Sequence, residues 1–533
     1  MVITPQTNLK LLKLDLEIDE KNQLTFPSLA SQTAYFQSLA GLSEDNFTYQ
    51  RKDGIIRFPA NIDSIITYNY VMYQNEQYGN KWFYAFIEDM RYLNNDVTEI
   101  KIKTDVFQTW QFDFEIKKSF IERETVSDDT VGKHTVPENL ETGEFICNIH
   151  EKDTFMDTYA EDLCFIVAST SEPISGTASQ TPAPSGVFNG VYTALMYYRY
   201  DVTTAIDTIL EIMANNGKTD SINSIFMAPK WLAPLDDDPQ VIQRQVAQSS
   251  TPAQYDVSVT KQTTLNGYAP KNNKLLCYPY NYLLLSNNIG QNEVLHYEKF
   301  STNVCNFTVK GVLAPGCQIN ITPNYYNGIS PNTNESLSLG KFTICNFLND
   351  AYKNWLAQNS LNILGQTVTV DDVGIFNSAL NGIASSIVAV SSGNAFAGGL
   401  SILSGIEGVM DSVLAKQVHE MIPSNVRGQL SGADLNVASG NNTFHFYKMS
   451  IKQEYAKIID EFFSMYGYKV NETKVPNLNS RVNWNFIKTK LVNIIGDVPQ
   501  KDMEELKQMF NNGITLWHNP LTFLDYSQSN NIV

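Results

Sequence analysis

The sequence predicts a mainly β protein with some α-helix, split into several domains. Three observations carry that prediction. Aromatic and β-branched runs bounded by turn residues recur along the chain. Charged residues make up only 18% against 43% hydrophobic, a balance that suits sheets with a polar, weakly charged surface. The length of 533 residues exceeds what one hydrophobic core serves, so roughly two to four domains are expected.

The first region is dense in strand signals. "IITYNYVMYQ" and "KWFYAFIEDMRYL" are separated by "NEQYGN", where Gly79-Asn80 marks a turn. "TEIKIKTDVFQTW" then alternates, placing Ile100, Ile102 and Val106 on one face. Together these predict a three-stranded antiparallel meander, closed near residue 126 by "SFIERETV". Next, "DLCFIVAST" reads as a strand and "SEPISGTASQTPAPSG" as a loop. "DVTTAIDTILEIMANNG" spaces Ala205, Ile206, Ile209, Leu210 and Met213 as a helix does, with Gly217 as its stop. Strands follow in "LLCYPYNYLLLS", "EVLHYEKF" and "CNFTVKGVLAPGCQINITPNYY", which makes 127–347 a second, inserted β-rich region.

From about Leu348 the character shifts, and "NDAYKNWLAQNSLNIL" reads as a helix. After the apolar stretch described below, "FHFYKMSIKQ" returns to strand. "EYAKIIDEFFSMYG" is an amphipathic helix stopped by Gly467, with Ile458, Ile459, Phe462 and Tyr466 on its apolar side. "NWNFIKTKLVNI" is strand-like, and "VPQKDMEELKQMFNNG" is a last helix between Pro499 and Gly513. The expected segments are 1–126, 127–347, 348–430 and 431–533, with the first and last belonging to one domain.

Between Asp372 and Glu407 there is no charged residue, yet Gly, Ser and Asn abound. Gly374, Ser378, Gly382 and Ser386 recur every fourth position. After "SSGN" the pattern resumes at Ala397, Ser401 and Gly405. Small residues at that spacing let two helices approach closely, as in membrane packing. The bulky residues Phe376, Leu380, Ile383, Ile387, Val388, Phe396, Leu400, Ile402 and Leu403 lie mostly off that stripe. The expectation is a helical hairpin, Val373 to Val390 and Ala395 to about Met410, the eighteen residues of the first arm rising roughly 27 Å, close to a bilayer's hydrocarbon core. A permanent span would be richer in Leu, and Asn377, Asn381 and Asn394 would need partners in lipid. Three readings stay open: a loop that is soluble in one state and lipid-inserted in another, a channel plug only, or a core hairpin.

Chemistry is sparse. The formal net charge of −18, without a basic run, argues against gripping nucleic acid by its phosphates. The acidity either keeps the protein soluble or forms a negative wall past which DNA slides. Cys147, Cys164, Cys277, Cys305, Cys317 and Cys345 are dispersed and read as reduced core residues made in a cytoplasm. No secretory signal opens the chain. "NNGKT" at 215–219 has Ile212 where a phosphate loop needs its first Gly, and there is no GxSxG elbow. His134, His150, His296, His419, His445 and His518 include no metal-binding pair, and His419-Glu420 reads as a solvated helix face. No enzyme, metal or cofactor is expected.

"YNYVMYQNEQYGNKWFYAFI", "DVFQTW" and "SFIERE" near the N-terminus resemble the distal tail (tail knob) proteins of phi29-like short-tailed phages. So do "FFSMYGYKV", "NWNFIKTK" and "NNGITLWH" near the C-terminus. The resemblance lies within roughly 60–125 and 450–520 and is loose between them. It implies tail-tube-like β-barrel or sandwich domains with an inserted β-rich knob, assembled as a homohexameric tube at the virion tail tip. Its partners would be other tail and collar proteins, viral DNA passing through without specific binding, and the host cell membrane, into which the apolar loops insert after plugging the channel. Gly79, Asn80, Trp82, Trp110, Gly513 and Trp517 carry over as structural positions only. A receptor-binding tail module and a peptidoglycan hydrolase working with two distant carboxylates are the alternatives.

Overall fold

The computed structural model describes residues 7–45, 49–50, 54–76, 79–153, 162–170, 186–193, 195–201, 222–236, 245–339, 342, 344–345, 362–363, 366–367 and 442–533. The chain forms two compact units: one from Met1–Glu144, Gly267–Tyr280 and Ile451–Val533, the other from Phe145–Asn266 and Asn281–Ser450.

In the first unit the aromatic runs form the expected meander. Tyr70–Asn75, Trp82–Asn94 and Val97–Thr104 are successive antiparallel neighbours, with Tyr70 opposite Phe86 and Met90 opposite Ile100. Gly79 and Asn80 turn the chain with φ of 70° and 57°, the backbone that Gly and Asn reach most cheaply. The full antiparallel sheet has seven strands, in the order Gly41–Asp45, Thr7–Leu12, Tyr70–Asn75, Trp82–Asn94, Val97–Thr104, Ile55–Phe58 and Tyr49–Gln50.

Alternation along its middle strands buries both faces. Val71 and Tyr73 join Leu9, Ile56, Ile100, Ile487 and Phe510 in one core, while Tyr70 and Met72 join Leu12, Phe36, Tyr84, Trp484 and Trp517 in another. Each such large apolar side chain contributes about 1.5–3 kcal/mol when fully buried. A second, five-stranded sheet runs Asn22–Leu24, Ile514–Trp517, Trp484–Lys490, Ser119–Glu124, Tyr468–Lys474; its first pair is parallel and joins the two ends of the chain.

Two expectations here need correction. Val106 does not continue a strand; it starts the helix Val106–Trp110, because the Asp105 side chain accepts from Gln108 N–H and caps it. Val106 is nonetheless buried in the same core as Ile100 and Ile102. The helix Gln453–Tyr466 ends at Gly467 as expected, but its buried face is Ala456, Ile459, Asp460 and Phe463, and Ile458 and Tyr466 are exposed. Helix Gln500–Asn512 starts after Pro499 and stops at Gly513, whose φ of 101° suits glycine.

The second unit packs three four-stranded sheets on a single core. Leu163–Ser169 is buried along its whole length between Met196–Asp201 and Ile222–Pro229, as a central strand should be. Val304–Val312 and Gln318–Asn324, within the stretch read as strand, pair antiparallel as a hairpin. His445–Ile451 is the expected strand and joins Phe145–Lys152 and Asn281–Ser286. The strand expected over 275–286 is shorter, because a 3₁₀ turn at Asn273–Leu276 precedes Pro279, which lacks the N–H a ladder uses. Asn362–Ile363, expected to be helical, pairs with Gln366–Thr367 as a short ladder. The helix expected over 201–217 lies, beyond the strand-ending Asp201, outside the described residues, as do the hairpin arms of 373–410.

Candidate functional site

Of the residues singled out for chemistry, the small-residue stripe from Gly374 to Gly405 and the bulky set from Phe376 to Leu403 lie outside the described residues. Among the described residues no helix is long and apolar enough to cross a membrane, and no group of three or more His, Cys, Asp or Glu is placed to hold a metal ion.

The positions carried over as structural are all described: Gly79 and Asn80 form an exposed turn, and the tryptophans and Gly513 lie at packed positions. Trp82 opens its strand beside the Gly79-Asn80 turn. Trp110 is buried, donates to Asp502 Oδ2 at 2.9 Å, and carries the Lys81 ammonium 3.6 Å from its ring centre. Trp517 is fully buried, donates to Asn22 Oδ1 at 3.1 Å, and sits among Trp484, Phe523 and Tyr526 at ring separations of 5.1, 5.7 and 4.9 Å. These contacts knit the C-terminal residues to the N-terminal strand Asn22–Leu24.

The densest polar construction in the first unit holds the segments by which the chain leaves and re-enters it. Asp460, on the buried face of its helix, accepts from Tyr268 Oη, Lys271 N and Asn272 N at 2.7, 2.7 and 3.0 Å, and from Asn272 Nδ2 at 2.8 Å. Both carboxylate oxygens are thereby satisfied, as a buried charge requires. Glu138, whose side chain is fully buried, bridges Arg123 and Lys274 and accepts from Lys469 N–H. Asp129 accepts from Tyr468 Oη at 2.5 Å and Asn273 N at 3.0 Å. Burial raises the Asp129 carboxyl above its usual range and lowers Lys274 and His134, each shift opposing the charged form. Residues 128–138 and 268–274 are thus clamped to helix Gln453–Tyr466 and strand Tyr468–Lys474. Sequence reading missed this clamp; its one trace is an aspartate, Asp460, in the apolar stripe of an amphipathic helix.

The second unit brings together two histidines the sequence kept apart. His150 Nε2 and His445 Nδ1 are 2.9 Å apart, and both rings stack with Tyr447. Of the described cysteines, Cys164, Cys277, Cys305 and Cys317 are buried and Cys147 is exposed, on the outer face of strand Phe145–Lys152 rather than in a core. Burial pushes the Cys164 and Cys305 thiols up to about 12, so neither is a thiolate nucleophile at neutral pH.

Comparison with known proteins agrees with this architecture. A family described as caudoviral major tail protein N-terminus matches residues 5–116, and one described as the C-terminal domain of the tail knob protein gp9 of Bacillus phage phi29 matches residues 244–531. The chain is 24% identical to the phi29 tail knob protein gp9 over 589 aligned positions, covering 96% of each, and 25% identical to that of Bacillus phage B103, again covering 96% of each. The solved structure of the bacteriophage C1 tail knob protein gp12 has the same fold, with a TM-score of 0.65 at 15% identity over 99% of this chain and 100% of that one. Both ends, the aromatic meander and the interwoven C-terminal strand, fall within these matches, and with more than half of its length matched by the gp9 description the chain belongs to the phi29 tail knob protein family.

Proposed function

We propose that this tail knob protein is the wall of a tube: six copies surround a channel through which the phage DNA leaves, and residues 373–410 of each plug the channel and then enter the host membrane. In this reading 1–126 and 431–533 form the tube wall, and 127–347 between them supplies the knob. The observation that carries the reading is the coincidence, in a chain related to tail knob proteins over 96% of its length, of a long uncharged run between Asp372 and Glu407 whose first arm matches one bilayer crossing. Its moderate hydrophobicity and many glycines suit a segment that must tolerate both an aqueous and a lipid environment. The net charge of −18 supports a lumen that DNA does not adhere to.

Dye-loaded liposomes test the membrane step. The full chain is expected to release dye at low pH or on loop exposure, and a 373–410 deletion to release none. Liposomes that stay intact under every condition would reduce the segment to a plug. Native mass measurement tests the ring, and a chain that remains single at working concentration would count against it. Turnover of purified cell wall by the protein would overturn the non-enzymatic reading.

A further inference from the structure

Six asparagines in the chain are followed directly by glycine: Asn189, Asn216, Asn266, Asn327, Asn381 and Asn512. In such a step the asparagine side chain can react with the next backbone nitrogen, because glycine has no side chain to shield that nitrogen and turns freely. The fold treats the described steps differently. Asn189 is buried and its Nδ2 donates to Leu232 O at 3.0 Å, while Gly190 N donates to Ser249 O at 3.0 Å. Asn512 ends its helix, and Gly513 N donates to Met509 O at 3.0 Å. At both steps the attacking nitrogen is already engaged. Asn216 and Asn381 lie outside the described residues.

Asn266-Gly267 is built otherwise. Both residues are exposed, with φ of 48° and 84°, the two left-handed positions of a tight turn. Among the described residues neither the Asn266 side chain nor Gly267 N makes a hydrogen bond. The place where a Cβ on Gly267 would stand has nothing within 4 Å, so the chain has room to rotate. Asn327-Gly328 is the nearest rival and is exposed too. Its turn is tied down on both flanks, by Asn327 N donating to Lys299 O at 2.9 Å and Ile329 N to Tyr326 O at 3.1 Å.

We propose that Asn266 is a site of spontaneous deamidation, a modification the fold directs to this turn. Gly267 N attacks Asn266 Cγ and the new C–N bond closes a cyclic imide. The Cγ–Nδ2 bond breaks, and Nδ2 leaves as ammonia with the proton from Gly267 N. Water then opens the imide at either carbonyl, giving aspartate or isoaspartate. Either product adds a negative charge to the turn, and isoaspartate also lengthens its backbone by a methylene. The change falls just before Tyr268, Lys271 and Asn272, the residues that Asp460 holds.

The test ages the full-length protein in mildly alkaline buffer and follows its tryptic peptides by mass over time. The peptide between Lys261 and Lys271 carries Asn266 as its one asparagine. It is expected to give two heavier products, aspartyl and isoaspartyl, the second of which accepts a methyl group from isoaspartyl methyltransferase. Conversion at Asn266 should run roughly tenfold or more faster than at Asn189 or Asn512, where hydrogen bonds must break before attack. Asn327 should fall between. In urea, where the fold no longer selects, the four rates should converge. Equal rates at Asn266 and Asn189 in the folded chain, or earlier conversion at Asn327, would overturn the assignment. A ranking that survives urea unchanged would show that the neighbouring residues set it rather than the fold, and the proposal fails.

Discussion

Asp105 has no solvent exposure, yet it carries the cap of helix Val106–Trp110 and accepts from Tyr70 Oη at 2.9 Å. Burial raises its carboxyl to about 7. A carboxyl whose folded value lies above its unfolded one contributes stability that is complete below about pH 3.8 and lost as pH rises through about 7. His518 works in the opposite sense: enclosed between Thr25 Oγ1 at 2.7 Å and Asn485 Oδ1 at 3.0 Å, it is lowered by burial to about 4. Its contribution is complete above about pH 6.5 and lost as pH falls through about 4. Between those limits the two slopes, each at most about 1.4 kcal/mol per pH unit, offset one another. Asp105→Asn keeps an acceptor for the cap and removes one slope. Its stability relative to wild type, followed by urea unfolding, should therefore fall as pH drops from 7 to 4. A difference that stays constant with pH would show that Asp105 does not titrate in this range. Little of this is legible in the sequence, where "TDVFQTW" continues an alternating strand and only the capping preference of Asp hints at a helix start.

At the scale of elements, helix Gln453–Tyr466 shows where periodicity stops being informative. Its bounds, its glycine stop and its amphipathic character are legible, because they depend on local propensity. Its buried face is not, since Asp460 takes a core position in order to bind Tyr268, Lys271 and Asn272, residues nearly two hundred positions earlier. Gly467 follows with φ of 62°, and a Cβ there would come within 2.1 Å of Glu124 O, so helix and strand meet too tightly for any other residue. Asp460→Ala strands the backbone N–H donors of Lys271 and Asn272, while Asn272 Nδ2 keeps Asp460 O and Ser464 Oγ, an expected loss of about 2–3 kcal/mol. Hydrogen exchange at the Lys271 and Asn272 amides should accelerate in step. If those amides stay as protected as in wild type, the clamp does not depend on Asp460.

Across the whole molecule, the β-rich class and the aromatic meander follow from composition and alternation, and the resemblance at both chain ends points to the same family that the comparisons give. Long-range pairings such as His150 with His445 come from strands nearly three hundred residues apart and leave no local trace. The interleaving of the two units along the sequence likewise leaves no local trace. It bears on the order in which the protein is built. Ile514–Trp517 lies between Asn22–Leu24 and Trp484–Lys490, so the five-stranded sheet is incomplete until almost the last residue has been synthesised. By then the whole of Phe145–Asn266 and Asn281–Ser450 has emerged. A chain truncated after Gly513 should therefore lose protease resistance throughout residues 7–144, while fragments of the second unit persist in a timed digest. Resistance equal to that of the full chain in the N-terminal part would refute this order. The early residues thus wait on the late ones, and a product of premature termination has no finished first unit to offer a growing particle.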